Sequence, residues 1–374
     1  MDKKIFVNMI LSKLCIYRSK MSEKKKISDE RRVNLYSKID LTESQKEAID
    51  KFYLKNYGRK VPHKWHRLYQ SFTGKFDEKY FPELLYIPDF ERKMNPNSFA
   101  TVFEDKTMID FITFDTSIKT PEIIISAVRG VVRDSKYNLI SHDQQFEIAK
   151  KLEGEFFIKP ATDSSSGKGC RIIRLKRGVD ILTEERIESI IISYSGNYIL
   201  QEKIKNSELL RKLYDKSINT FRVMTYVWDN RIYHCPVILR IGQGGSFVDN
   251  AHAGGMFIGV KDDGTLNDTA YTEFQKKYKK HPDSGIEFKN YKIPQIEIII
   301  KSAKNLHSRI PQLGIISWDF TLNENNIPTL IEMNIRGGSC WLPQMAHGCG
   351  LFGENTADIL KFIARKEVVS KEII

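Results

Sequence analysis

The sequence predicts an α+β fold, in which antiparallel strand pairs and helices follow one another without regular β-α alternation. Three observations point there. Apolar side chains recur with period two in runs joined by short polar turns, the mark of hairpins; "INTFRVMTYVWDNRIYHCPVILRIG" (218–242) and "IISWDFTL" followed by "TLIEMNIR" (315–336) are examples. Between such pairs stand stretches with helix start signals. Hydrophobic residues make up 41% and aromatic residues 11% of the 374, which suffices for a buried core with two or three subdomains and argues against wholesale disorder.

The elements follow in order. Residues 42–57, "TESQKEAIDKFYLKNY", read as a helix whose Thr42 and Gln45 form a capping box, and Pro62 ends that region. From 76 to 150 the pattern is mixed: "MIDFITF" is apolar, "EIIISAVRGVVRD" is a strand-and-turn run, and "HDQQFEIAKKLEG" is a helix closed by Gly154. "FFIKPATDSSSGKGCRIIRL" (156–175) is a hairpin, with Phe157 and Lys159 on one side, Arg171 and Ile173 on the other, and a flexible Ser/Gly/Lys tip. A helix near 181–193 and a strand at 197–204, "NYILQEKI", come next. Then come a strand pair turning at Asp229-Asn230, a glycine-rich loop "GQGGSFVDNAHAGGMFIGV", and a charged stretch over 261–294. A helix at 295–309 leads to the last two strands. No internal repeat or low-complexity linker interrupts this order. The divisions expected are a basic arm and helical region over 1–75, a mixed α/β region over 76–150, a hairpin-bearing subdomain over 151–205 and a C-terminal subdomain over 206–374.

No apolar run reaches the roughly 18 residues that a membrane-spanning helix needs. Near the start, "IFVNMIL" is short, broken by Asn8 and followed by no small-residue cleavage site. Cys15, Cys170, Cys235, Cys340 and Cys349 include no C-x-x-C pair, which fits a reducing compartment better than a disulfide framework or a zinc site. The expectation is an intracellular protein. The net charge of +12 suits nucleic acid, an anionic membrane or phosphorylated ligands. Residues 1–32 hold ten Lys/Arg against four Asp/Glu, and there Phe6, Ile10, Leu14 and Tyr17 recur at near-helical spacing beside Lys13 and Arg18. That arm reads either as a basic amphipathic helix for an anionic membrane surface or as a solvated terminus.

Chemistry is carried by two regions. The 156–175 tip is not a Walker loop, because Thr162 and Gly169 stand where that loop needs a glycine and a hydroxyl residue. It is not a dinucleotide fingerprint either, since Ile172 takes the place of the third glycine. It can still fold over an anion, offering backbone N–H groups, serine hydroxyls and the Lys168 ammonium. Alone, a Ser/Gly tip is more often a plain solvated turn. The C-terminal strand pair changes the balance. Alternation puts Asp319 on one side with Ser317 and Thr321, and Glu332 on one side with Asn334 and Arg336. The short turn "NENNIP" brings Asp319, Glu332 and Asn334 onto one surface, and three such oxygen ligands suit Mg²⁺. Large apolar neighbours argue that the surface is buried rather than a solvated edge. With Lys159, Lys168 and a strand-borne Arg222, the chain has the parts to hold a polyphosphate. "YILQEKI" offers a hinge for a base, Glu202 accepting from an adenine amino group.

The order of these motifs, "FFIKP", "SSSGKGC", "YILQEKI", "NTFRV", "VDNAHAGG", "ISWDF" and "LIEMN", resembles the ATP-grasp superfamily. "VPHKWHRLYQ", "GKFDEKYFPELLY", "HPDSG" and "IISWDF" look like its sugar-transfer-associated branch, found with capsule and exopolysaccharide genes. The resemblance covers about residues 50–350. It implies an ATP-grasp fold, two α+β subdomains clasping ATP, preceded by a helical N-terminal region. It further implies that Lys159 and the flap with Ser166, Lys168 and Gly169 contact the phosphates. Gln201, Glu202, Lys203 and Ile204 would line the adenine hinge, with Glu208 on the ribose. Arg222 would stabilise the γ-phosphate and an acyl phosphate, Asn250, Gly254 and Gly255 would form a second loop near the phosphates, and Asp319, Glu332 and Asn334 would bind two Mg²⁺, Glu332 bridging. Arg336, with "GGSC" after it, departs from the small-residue and proline pattern of related ligases and joins Arg222, Lys159 and Asn250 in the catalytic set. The lysine that many members place before the flap has no clear counterpart; Lys119, Arg129 and Arg133 are the alternatives.

The resemblance thus implies a cytoplasmic ATP- and Mg²⁺-dependent carboxylate-amine ligase acting through an acyl phosphate on a sugar or uronic acid in surface polysaccharide synthesis, with carboxylate and amine co-substrates and no nucleic acid. Two rivals remain: a kinase phosphorylating a hydroxyl, as a minority of the superfamily does, and a basic polyanion- or membrane-binding module, which would leave the ordered carboxylates without a purpose. His63 and His66 have no acidic or cysteine neighbours in sequence, against zinc. His252 and His281 could touch substrate or cap turns, and Cys340 has no positioned base.

Overall fold

The computed structural model describes residues 3–162 and 167–365. Its first quarter is helical: α1 (Lys3–Ile27), α2 (Glu30–Tyr36), α3 (Glu43–Tyr57) and α4 (Lys64–Thr73). The capping box expected at α3 is present, Thr42 and Gln45 satisfying one another's backbone N–H groups, and Gly58 ends the helix at φ +77°. Aromatic side chains of α3 and α4 fill the region: Tyr53, Trp65 and Tyr69 are wholly buried.

Two antiparallel sheets follow. The first holds β1 (Ile123–Val128), β2 (Val131–Asp134), β3 (Gly154–Lys159), β4 (Arg171–Lys176), β5 (Val179–Asp180), β6 (Glu185–Arg186) and β7 (Tyr198–Glu202) in the order β2-β1-β7-β3-β4-β5-β6. It therefore draws on both the 76–150 and the 151–205 stretches. The 156–175 hairpin is present as β3–β4, with Ile158 opposite Arg171. Two local expectations change. Gly154 does not close the preceding helix, which ends at Lys150; it opens β3 instead, at φ +110°. Half of the helix expected at 181–193 is the β5–β6 turn, and helix runs only over Ile187–Ser193. There Asp180 accepts N–H bonds from Arg174 and Leu182 and pins a turn that helical periodicity alone did not reveal.

The second sheet holds β8 (Thr220–Trp228), β9 (Arg231–His234), β10 (Val237–Ile241), β11 (Met256–Val260), β12 (Ala270–Thr272), β13 (Lys277–Tyr278), β14 (Ile315–Leu322) and β15 (Pro328–Asn334). The order is β13-β12-β11-β10-β8-β14-β15, with β9 also on β8. The expected turn at Asp229-Asn230 is made with both residues at positive φ, as a two-residue hairpin of this twist requires. Its return strand is broken into β9 and β10 at Pro236, which has no N–H for the ladder. Every residue of β14 is buried, and Trp318, Phe320 and Phe221 lie in a core shared with the helix Ile296–Ser308.

One polar side chain ties the sheet to the segment before it. Asn95 is 2% exposed; its Nδ2 donates to the carbonyls of Ile315 and Ile335 at 2.7 Å each, and its Oδ1 accepts from the N–H groups of Gly314 and Ile315 at 3.0 and 3.1 Å. It fixes the start of β14 against the end of β15. Replacing it by alanine takes this partner from the carbonyls of Ile315 and Ile335 and from the Ile315 N–H, while the Gly314 N–H keeps its bond to the Met94 carbonyl at 2.8 Å. Asn95→Ala is expected to lower unfolding free energy by about 2–4 kcal/mol, read as the shift of a urea midpoint; an unchanged midpoint would show that the clamp is not needed.

Candidate functional site

Strand register builds the site. On β8, β14 and β15, Arg222 stands directly opposite Asp319, and Asp319 directly opposite Glu332. Residues so paired share a face of the sheet, so the three form one row across three strands. Arg240 on β10 pairs with Thr220 on β8, which shares the face of Arg222 two residues on, and this adds a second guanidinium. The expected convergence of Asp319, Glu332 and Asn334 is therefore geometrical fact.

The row is electrostatically closed. Arg222 holds Asp319 with two N–H donors, Nε to Oδ1 at 2.5 Å and Nη2 to Oδ2 at 3.0 Å. Arg240 donates to the same Oδ2 at 3.0 Å and to Thr220 Oγ1, and Thr220 donates in turn to Asp249. Asn334 Nδ2 donates to Asp319 at 3.2 Å. Burial would push the Asp319 carboxyl up, but Arg222 and Arg240 outweigh it and hold it below the usual carboxylate range. Asp249 moves the other way, its carboxyl raised because burial dominates. Lys159 is 5% exposed; burial lowers its ammonium, opposed by Glu332. Lys106 lies 3.7 Å from Glu332. Four cationic side chains thus meet three carboxylates at the floor of a cleft of about 1230 Å³ lined from both sheets.

The cleft brings together most of the sequence-derived set. Lys159, Gln201, Glu202, Lys203 and Ile204 line one wall; Arg222, Asn250, Asp319, Glu332, Asn334 and Arg336 line the other. Glu202 accepts from the Glu122 N–H at 3.2 Å, and Lys203 is paired with Glu155 at 2.7 Å. Lys168, Gly169, Gly254 and Gly255 border these segments without lining the cleft, and Ser166 lies outside the described residues. Glu208 sits in the first turn of the helix Glu208–Leu213, 71% exposed and paired with Lys212 at 2.8 Å; it is not itself in the cleft lining, although Asn206 and Arg211 are. Arg336 lines the cleft but is gripped by Glu104.

Of the proposed pre-flap cations, Arg129 alone reaches the cleft lining; Lys119 lies in a backbone bridge to Thr329 and Arg133 on β2 beside Leu139. Lys106 occupies that region instead, its N–H donating to the Ala161 carbonyl at 2.9 Å. Sequence reasoning missed Lys106, Thr220, Arg240 and Asp249. Arg240 had a signal, an arginine inside the apolar run "VILRI"; Lys106, in a polar turn, had none. His63 does have an acidic partner, Asp50 at 2.8 Å, brought from α3. His281 is wholly buried, donating from Nε2 to the Gly242 carbonyl at 2.8 Å, so it braces the glycine-rich loop and does not reach the cleft. Cys340 is buried, and burial pushes its thiol well up.

Two carboxylates and an amide are hard oxygen donors of the type Mg²⁺ takes, and Glu332 is a third exposed on the cleft floor. Among the described residues no three His, Cys, Asp or Glu side chains gather as a metal cluster, so the set depends on Asn334 for its third donor, and Asp319 would divide its oxygens between the cation and the two arginines. The residues fit the ion on those terms.

The model of the sugar-transfer associated ATP-grasp family matches residues 87–359. The chain belongs to that family. No curated protein matches it. Among solved structures, the D-alanyl-alanine synthetase A of Vibrio cholerae is similar at 14% identity and TM-score 0.42, over 70% of this chain and 64% of that one. The L-amino acid ligase of Bacillus licheniformis is similar at 12% and 0.41, over 71% and 49%. VanG D-Ala:D-Ser ligase of Enterococcus faecalis is similar at 13% and 0.41, over 70% and 62%. This chain thus spans less than two thirds of their lengths. The two antiparallel sheets with a cleft between them are the ATP-grasp fold of that family, with an added helical N-terminal region.

In this ATP-grasp cleft, the turn after β15 is held from behind. Glu91, in a π-helical turn over Tyr86–Glu91, accepts from the N–H groups of Gly337 and Gly338 at 2.8 and 2.9 Å. Burial raises its carboxyl from 4.5 to about 7, against those two bonds. A carboxyl raised in the folded state stabilises fully below its unfolded pKa and loses that contribution as pH rises through the folded one. Wild-type stability is therefore expected to fall between about pH 4.5 and 7 by a Glu91-dependent component. Glu91→Gln, which has no proton to lose, should flatten that component when urea midpoints are compared across the window; equal slopes would refute it.

Proposed function

We propose that the chain joins a carboxylate to an amine at the expense of ATP, through an acyl phosphate. One observation carries this reading: a row of cations and carboxylates, Arg222, Arg240, Asp319 and Glu332 with Lys159 and Lys106 beside it, at the floor of a cleft wide enough for a nucleotide and a second substrate. The γ-phosphate would pass to a carboxylate oxygen, ADP leaving, and an amine nitrogen would then attack the acyl carbon and expel phosphate. Negative charge gathers on the transferring phosphoryl group and on the acyl oxygen, and fixed donors in a water-poor site stabilise it without reorganising. Arg222 and Lys159 would do this at the γ-phosphate, with Asn250 beside it, and Gln201, Glu202, Lys203 and Ile204 would hold the base. Asp319, Glu332 and Asn334 would hold Mg²⁺, which supplies charge neutralisation of the phosphates when bound.

The family's description, sugar-transfer associated, supports a sugar-linked substrate; a uronic acid in capsule or exopolysaccharide synthesis is the substrate and setting we propose. We place the enzyme in the cytoplasm, at the inner face of the membrane. No helix among the described residues is long and apolar enough to cross one. On α1, Ile10, Leu14, Tyr17 and Met21 are exposed on one side, with Lys13, Arg18 and Lys24 close by; that pattern supports contact with an anionic lipid surface.

ADP release across a panel of uronic acids, sugar nucleotides and amino acids with neutral hydroxylamine tests the reaction class. An acid that stimulates ADP release and yields a hydroxamate is the expected result; a stable phosphorylated product would identify a kinase, and no stimulation by any acid would sink the ligase. Lys159→Met should lower that turnover at least about 100-fold without lowering the melting temperature, because it removes a buried cation that burial already disfavours. Retained turnover would remove Lys159 from the phosphate site.

A further inference from the structure

Amide formation leaves a proton to be placed. An amine nitrogen that attacks an acyl carbon must lose one, and a positioned base speeds that step. Several carboxylates on the cleft walls are already engaged: Asp319 and Asp249 with the arginines and Thr220, Glu104 with Arg336, Glu202 with a backbone N–H. His252 differs. It lines the cleft at the turn Ala251–Ala253, and its side chain is half exposed.

Its orientation is fixed from behind. Nδ1 lies 2.7 Å from Glu273 Oε2, and an ionised carboxylate only accepts, so Nδ1 carries the hydrogen and the neutral ring presents Nε2 as an acceptor. Glu273 is 11% exposed. Burial acts to raise its carboxyl, but the bond from His252 and the charges of Arg32 and Arg31 outweigh it and keep it ionised. Arg32 on α2 stands 3.7 Å from Glu273 and is anchored to Glu83 at 2.7 Å. The His252 ring also leans on Trp341, 5.8 Å between centroids, and its backbone N–H donates to Asn250 Oδ1 at 3.0 Å. A histidine backed by a carboxylate that fixes its tautomer is the arrangement that makes imidazole an effective general base.

We propose that His252, oriented by Glu273, is the base that deprotonates the attacking amine. The inference rests on the ligase reading. The amine nitrogen forms a C–N bond to the acyl carbon of the acyl phosphate, one N–H proton passes to His252 Nε2, and the C–O bond to phosphate breaks with its electron pair leaving on inorganic phosphate. Arg31, Arg32 and Glu83 are the further charged groups that face the pair, and Arg32 gives the helical region ahead of the matched 87–359 stretch a place in the chemistry.

The test uses the full chain and the acid that gives most hydroxamate. Hydroxylamine is neutral near pH 7 and reactive enough to attack an acyl phosphate with water taking its N–H proton, whereas glycine, lysine and glucosamine, the amine probes, are mostly protonated there and must give one proton to solvent before attack and a second to the base during it. In His252→Gln the ratio of amide to hydroxamate formed should fall about 100-fold. In Glu273→Gln, which loses the carboxylate that holds the hydrogen on Nδ1, the same ratio should fall, by less than in His252→Gln. Hydroxamate formation by both variants reports that they fold and phosphorylate the acid. Equal losses in both products would make His252 part of the ATP or acid site and overturn the proposal, as would an unchanged ratio. Absence of hydroxamate from the wild-type enzyme would overturn the ligase reading itself, a distinguishable result.

Discussion

The site depends on one constraint: a buried carboxylate in the middle of a sheet must be matched by opposite charge within hydrogen-bond reach. Asp319 lies on β14, buried along its whole length, and the antiparallel register sets Arg222 directly beside it. Arg240 comes from the next strand over and Asn334 from the strand on the other side. A one-residue slip in any of these pairings would turn a charged side chain into the apolar layer that holds Trp318 and Phe320. Stability and ligand chemistry therefore select the same register.

That constraint also leaves the cleft floor lined with cationic side chains, as the proposed binding of a polyanion requires. Lys159 and Lys106 stand over Glu332, so cationic donors already face the space between the sheets. Burial there lowers the Lys159 ammonium, a cost that the proposed triphosphate would offset. The elements around the cleft act as braces: His281 on the glycine-rich loop, Glu91 on the turn after β15, and Asn95 at the junction of β14 with β15. Each is a buried polar group satisfying backbone N–H or C=O groups of a segment near the site, which is how a fold of loops and hairpins keeps side chains in place.

Some of this was legible in the sequence because it is local. The capping box at Thr42, the turn at Asp229-Asn230, the β3–β4 hairpin and the shared face of Asp319, Glu332 and Asn334 all follow from periodicity and turn chemistry within some twenty residues. Motif order says nothing of side-chain direction: one helical turn pairs Glu208 with Lys212 at the surface. The β5–β6 turn shows another, since Asp180 bonds there overrode helical periodicity.

By itself, the sequence determined the α+β plan, the order of motifs that marks an ATP-grasp chain, and which face of the last hairpin is polar, because alternation and turn residues act between near neighbours. Tertiary structure alone decided that Arg240, Asp249 and Lys106 join the site, that His281 is a brace, and that Glu273 and Arg32 stand behind His252. Those groups come from strands, loops and helices far apart in the chain. Their meeting is fixed by sheet order and packing, and no periodicity in a linear sequence records which distant side chains a fold will set against one another.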